Sequence, residues 1–380
     1  MRAFICEGPE YTMLRQMLIQ GTAAGLVFLF TTGLAAQEPA KDKTGQTANQ
    51  TTKKAKPTTR KAKPRLPKGC VAKTITLPNG AERKYVVFVP PQYILNETYR
   101  WPVVVSLHGS GECGTDGIKH TTVGLPRHLG RDPNRFPFIA VMPQAKTLWY
   151  RGGDAAAVWA VLAAVHREYR TDPDRVYLTG FSMGGFATWE LSVAHPDVFA
   201  AIVPICGIGP IPFMSNITHL PVWAFHGAKD QNVPVKGSRE PIAALKRLGA
   251  NPRYTEYAEA DHFCWDRVYR SREMWDWLLA QRRKPAPRAI DYRFLSGSAV
   301  VWWLGVQAED GLKRPAHIRA VIDENGRVTV QSEGAAGWAI KCETYPLKIG
   351  DEIDVAWNGE HVYKGEFTGG IATKPREDQE

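Results

Sequence analysis

The chain has 380 residues, 44% of them hydrophobic and 23% charged; that length exceeds one ordinary domain, and that composition excludes a disordered polymer or a bundle of membrane spans. The formal charge of +10 points to nucleic acid only until it is located: residues 37–69 hold ten Lys or Arg against Glu38 and Asp42, and residues 1–36 balance Arg2 and Arg15 against Glu7 and Glu10. Everything after is close to neutral, so a nucleic-acid partner loses its main support. In chain order, residues 1–36 read as a signal peptide: Arg15 precedes an apolar stretch, MLIQGTAAGLVFLFTTGLAA, that ends in small residues, with cleavage expected near Ala35 or Ala36. The uninterrupted apolar core is shorter than the ~20 residues a spanning helix needs, so a secreted or periplasmic protein with no stable membrane span is expected. Met1 and Met13 are both acceptable starts.

Residues 37–69 are Lys, Thr, Ala, Gln and Pro with almost no large apolar side chain, a disordered basic linker able to touch an anionic surface polymer. From 70 to 285, β-rich runs alternate with helical patterns. The runs are VVFVP, VVVSLHG, FIAVMP, RVYLTG, AAIVPIC, VWAFHG and RYTEY; helices are expected over Asp154–Tyr169, after Gly184, over Lys236–Leu248 and over Ser271–Arg282. Continuous apolar strands between helices predict a doubly wound, mostly parallel α/β sheet. Residues 286–370 change to short alternating strands, with Asn325-Gly326 and Asn358-Gly359 as hairpin signals; this predicts a small antiparallel β-sandwich-like domain, followed by a disordered tail at 371–380.

The segment VYLTGFSMGG runs a strand into Gly180-Phe181-Ser182-Met183-Gly184 and then a helix. Glycines on both sides of the serine permit a strand-to-helix turn sharp enough to lift its hydroxyl out of the sheet. A serine hydroxyl needs a base, and the base a carboxylate to fix its tautomer. Asp230 in HGAKDQNVP and His262 in EADHFCWDRVY follow later strands in the order this chemistry requires. His226 and His108 precede glycines at strand ends, and Asp266 and Glu259 are weaker candidates for the acid. For the developing oxyanion, the Met183 N–H is one expected donor, with Ser110 or, alternatively, Gly109 of the HGSG loop as the second. Trp149, Tyr150 and Glu112 are candidates to line a substrate pocket, and Cys113 and Cys264, in two loops expected at the site, are a candidate disulfide. No His/Cys cluster has metal-ligand spacing, and no cofactor is implied.

LHGSGECGTDG, GFSMGG, HGAKDQNVP and HxxWDRVY together resemble the esterase and predicted-peptidase branch of the α/β hydrolases, similar to feruloyl esterases, polyhydroxybutyrate depolymerases and dienelactone hydrolases. The resemblance implies the α/β-hydrolase fold, triad roles for Ser182, Asp230 and His262, and the oxyanion role for the HGSG loop. The expected activity is hydrolysis of carboxylic esters through an acyl-serine, with polysaccharide-linked feruloyl or acetyl esters as fitting substrates. A serine peptidase or amidase uses the same residues. A third reading, from another class, makes the C-terminal domain a carbohydrate-binding module with Trp302, Trp303, Trp338 or Trp357 as stacking platforms.

Overall fold

The computed structural model describes Phe4–Ile5 and residues 65–149, 154–342 and 345–373. A two-residue strand, β1 (Phe4–Ile5), is followed by β2 (Cys70–Thr76), β3 (Glu82–Phe88), β4 (Trp101–Leu107), α1 (Leu125–Arg131), β5 (Ile139–Pro143), α2 (Asp154–Glu168), β6 (Thr171–Phe181), α3 (Met183–Ala194), β7 (Ala201–Ile205), β8 (Trp223–Gly227), α4 (Lys236–Arg247), β9 (Arg253–Tyr257), α5 (Trp265–Arg270) and α6 (Arg272–Leu279). Strands β2 to β9 form one sheet in the order β2-β3-β5-β4-β6-β7-β8-β9. The first three in that order pair antiparallel and the rest parallel.

All seven residues of β4 are buried. Because side chains alternate across a strand, Val103, Val105 and Leu107 join one core layer with Val158 and Val161 of α2, while Val104 joins the opposite layer with Leu129 and Phe138. Helices thus cover both faces, which is why these strands read as uninterrupted apolar runs. The sheet and the helices expected over 154–169, 236–248 and 271–282 are present, the last ending three residues early. Strand β2 and helices α1 and α5 have no counterpart among the expected elements. Residues 65–69, read as linker, already rest on the fold: Leu66 packs against the second core layer and the Pro67 carbonyl accepts the Cys70 N–H.

The C-terminal strands are β10 (Ala289–Phe294), β11 (Ser298–Val301), β12 (Leu304–Ala308), β13 (Ala316–Ile322), β14 (Arg327–Glu333), β15 (Ala335–Lys341), β16 (Glu352–Trp357), β17 (Glu360–Glu366) and β18 (Gly370–Ala372). They form two five-stranded sheets, β1-β18-β15-β12-β11 and β10-β13-β14-β16-β17, around a shared core. Both Asn-Gly hairpins are present: Ile322 faces Val328, and Trp357 faces Glu360 across a two-residue turn whose Asn358 and Gly359 both have positive φ, 50° and 88°. Two expectations need correction. The sandwich is not wholly antiparallel, since β14 and β16 pair in parallel, joined by a connection long enough to cross over. Nor does an unstructured tail begin at 371: Ile371 and Ala372 pair with β15, and Ile371 is buried in the sandwich core. Residues 374–380 lie outside the described residues, as does most of the segment read as a signal peptide; its Phe4–Ile5 pairs with β18. Among the described residues no helix is long and apolar enough to cross a membrane.

The sandwich docks at the C-terminal end of α3. The Tyr292 hydroxyl donates to the Ala194 carbonyl at 2.9 Å. The Asn216 amide donates to the carbonyls of Val193 and Arg293 and accepts the Arg293 N–H, all at 2.9 Å. The Trp302 N–H donates to Asp197 at 3.0 Å. Twelve residues of helix, about 18 Å at 1.5 Å per residue, separate this junction from the N-terminus of α3.

Candidate functional site

That N-terminus is where β6 turns into α3, with Ser182 at the turn in the left-handed region, φ 55°. Only close backbone packing produces so tight a turn: a Cβ on Gly184 would lie 2.1 Å from the Leu107 carbonyl oxygen, and one on Gly180 2.4 Å from the Gly184 oxygen. Both glycines are therefore steric requirements. The strain at Ser182 is balanced by its N–H donating to the Ile205 carbonyl at 3.0 Å and facing the Cys206 sulfur at 3.3 Å.

Asp230 follows β8 and His262 follows β9, so three strand ends converge on one point. The His262 Nδ1 lies 2.7 Å from Asp230 Oδ2 and its Nε2 2.9 Å from Ser182 Oγ. A carboxylate only accepts, so Nδ1 carries the proton, and Nε2 of the neutral ring is left to accept from the serine hydroxyl. The Asp230 side chain is fully enclosed; its other oxygen takes the N–H groups of Asn232 and Val233 at 2.9 and 2.8 Å. His262 is seated edge-on against Trp265, which stacks on Phe181 with ring centroids 4.4 Å apart. Gly227 admits this loop, since a Cβ there would meet the Asp261 oxygen at 2.1 Å.

The HGSG loop lies beside the elbow after β4. His108 anchors it: Nδ1 donates to the Gly109 carbonyl at 2.7 Å and Nε2 accepts the Ala145 N–H at 3.0 Å. Burial pushes this imidazole down to about 3, so it stays neutral as a framework group. Met183 opens α3, where the first N–H groups of a helix have no acceptor of their own. Ser110 opens a short 3-10 turn, and burial pushes the nearby Glu112 carboxyl above its ordinary range.

Several expected roles change. Trp149 does not line an open pocket: it is 1% exposed, lies in the core, and its indole N–H donates to the His108 carbonyl at 2.9 Å, supporting the HGSG loop from behind. Tyr150 lies outside the described residues. Cys113 and Cys264 are not bridged. The Cys113 thiol donates to the Thr147 carbonyl, and Cys264 is buried in contact with Cys206. Asp266 pairs with His128 and Glu259 with Lys229, so neither reaches His262. Cys206 Sγ, an Asp230 oxygen and a His262 nitrogen lie within 4.8 Å of one another, a donor set a metal ion could use. The Asp and His atoms already bond each other, so a cation there would have to displace that bond. The aromatic platforms also fail: Trp303, Trp338 and Trp357 are core residues of the sandwich, and Trp302 packs on it and edge-on against His219 at the junction.

Sequence reasoning passed over His226, whose Nε2 lies 3.2 Å from Asp230 Oδ2. Its position in HGAKD, four residues before the acid, was the available signal. It also passed over Phe263, which stands 65% exposed beside His262 as an apolar lip.

The family described as Esterase PHB depolymerase matches residues 83–233. Poly(3-hydroxyalkanoate) depolymerase C of Paucimonas lemoignei is 31% identical over 132 residues, 31% of this chain and 30% of that protein. Feruloyl esterase B of Thermothelomyces thermophilus is 30% identical over 133 residues, 32% of this chain and 43% of that protein. The chain thus spans less than half the length of these curated relatives. Among solved structures, a thermostable esterase superposes with a TM-score of 0.51 at 31% identity, covering 57% of this chain and 64% of that one. The chain has the α/β-hydrolase fold, and its likeness within that fold is to the esterase type.

Proposed function

We propose that this esterase-type α/β hydrolase is a serine esterase that cleaves carboxylic esters through an acyl-serine. The observation that carries the proposal is the hydrogen-bonded chain Ser182–His262–Asp230, at 2.9 and 2.7 Å, on a strained turn. Ser182 Oγ attacks the ester carbonyl as its proton passes to His262 Nε2. The imidazolium then gives that proton to the leaving alcohol, and water, activated in the same way, releases the acid. Asp230, enclosed and supplied with N–H donors, stabilises the imidazolium without taking its proton. Met183 N–H and Ser110 N–H receive the oxyanion, each worth roughly 3 kcal/mol in the transition state. Gly109 of the same loop is the alternative second donor.

Feruloyl or acetyl esters of polysaccharides are the substrate class we favour. Support comes from the exposed Phe263 ring beside His262, which suits an aromatic acyl group, and from the names of relatives that include a feruloyl esterase and an acetylxylan esterase/xylanase of Neocallimastix patriciarum. We also place the protein outside the cytoplasm, on the apolar segment at residues 17–36.

The test is hydrolysis of p-nitrophenyl acetate and methyl ferulate beside an amide of the same acyl group. Ser182→Ala is expected to lower ester kcat by about 10⁴-fold or more without lowering Tm. Faster cleavage of the amide than of the ester would replace the esterase by a peptidase; ester turnover that survives the substitution would remove Ser182 from the mechanism.

A further inference from the structure

His226 is fully enclosed at the end of β8. Its Nε2 faces two atoms that can only accept, the Val233 carbonyl oxygen at 3.0 Å and Asp230 Oδ2 at 3.2 Å, so this nitrogen carries a proton. On the other side Nδ1 lies 2.7 Å from the hydroxyl of Ser238 in α4, itself fully buried, whose alternative acceptor, the Gly207 carbonyl, is at 3.3 Å. In the neutral ring Nδ1 accepts from that hydroxyl, and the shorter distance agrees. Nε2 thus donates to the Val233 carbonyl, and its N–H lies beside Asp230 Oδ2 at 3.2 Å, the oxygen that receives the His262 N–H at 2.7 Å.

We propose that His226, held by Ser238, is a positioning residue for the Ser182 reaction: as a neutral Nε2–H donor to the Val233 carbonyl it fixes the turn that holds the Asp230 carboxylate, and its N–H dipole, beside Oδ2, moderates the basicity of the oxygen that His262 uses. The Val233 N–H is one of the two peptide donors that clamp Oδ1, so tying down the Val233 carbonyl holds that clamp in place. The N–H dipole 3.2 Å from Oδ2 also weakens that oxygen's hold on the His262 imidazolium, which keeps the base from being trapped in its protonated form. The charged or titratable groups facing His226 are Asp230, His262 and Glu256 of β9, the last paired with Arg239 of α4. Burial lowers the pKa of His226, in keeping with the neutral ring that the contacts require.

This inference rests on the esterase reading, so its test includes a readout independent of turnover. In the folded His226→Leu variant, kcat is expected to fall about 10- to 100-fold with KM within about twofold, and the acidic limb of the kcat/KM profile to move to higher pH. His226→Gln, which keeps a side-chain N–H, is expected to recover most of the rate and return the limb. A folded His226→Leu enzyme whose acidic limb has not moved overturns the proposal, even if its stability or rate has dropped. If that variant does not fold, ¹⁵N NMR of the His226 ring in the unaltered full chain decides. A neutral Nε2–H tautomer between pH 6 and 8 supports the assignment; an Nδ1–H tautomer or a charged ring overturns it. The tautomer can be read whether or not an ester is cleaved, so failure here is distinguishable from failure of the esterase reading.

Discussion

At the C-terminal ends of β6, β8 and β9, polar side chains are buried and spent on one another: Asp230 is fully enclosed, His226 likewise, and His262 is 7% exposed. In the C-terminal sandwich the buried positions are instead taken by aromatic and aliphatic side chains, with Trp303, Trp338 and Trp357 inside. The first region accepts backbone strain at Ser182 and the desolvation of a carboxylate, costs that a region serving only stability would avoid. The second docks at the far end of α3, about 18 Å from Ser182 by helix rise, and attaches through Asn216 and Tyr292. The buried polar cluster and the apolar sandwich core therefore lie at opposite ends of α3.

The largest effect that would sharpen this contrast comes from Gly184→Ala. The added Cβ must displace the Leu107 carbonyl from 2.1 Å, moving both the elbow and the HGSG loop. Loss of more than about 4 kcal/mol of stability, together with ester turnover, is expected in denaturant melts and assays of the soluble fraction. A folded, active Gly184→Ala enzyme would mean that the turn is not as tight as described.

Next is Trp338→Ala in the sandwich core, expected to cost about 3–5 kcal/mol in the unfolding of that region. The kcat/KM of the folded enzyme should stay within about twofold of the parent, because Trp338 lies in the sandwich core, whose contacts with the α/β unit among the described residues are at the far end of α3. A variant that keeps its stability but loses glycan binding would restore the stacking-platform reading.

The smallest effect concerns pH. Burial lowers His108 to about 3 and His120 to about 4 from an ordinary 6.5. Their folded forms refuse protons that the unfolded chain accepts, so their contribution to stability is complete above pH 6.5 and is lost as pH falls from there towards 4 and then 3. Each neutral ring adds about 1 kcal/mol of destabilisation per pH unit within its window. Denaturant midpoints measured from pH 7.5 to 5 should decline, and His120→Gln, which cannot titrate, should flatten the decline. An unchanged slope in that variant would show that His120 is charged in the native state.

Much of the fold was legible because its signals are local. Apolar runs separated by amphipathic stretches are readily buried as a covered, mostly parallel sheet, and Gly-Phe-Ser-Met-Gly after a strand has few backbone solutions besides an elbow. Asn358-Gly359 was legible for the same reason: both residues accept positive φ. The elements that escaped notice, β2, α1 and α5, are short and half-exposed or tied to neighbours distant in sequence, and carry weak periodicity.

Sequence alone determined the order Ser182, Asp230, His262 and the strand ends on which they sit, because a parallel sheet brings the C-terminal ends of its strands to one edge. Only the tertiary structure decided which side chains meet there. Spacing along the chain could not distinguish Trp149 as a wall of the site from Trp149 as a support behind it, nor choose Cys206 over Cys113 as the neighbour of Cys264. His226 could not be promoted from a strand-end residue to a neighbour of Asp230 either. Such contacts depend on rotamers and on the packing of loops from β4, β7, β8 and β9, whose separations of tens to more than a hundred residues no local pattern encodes.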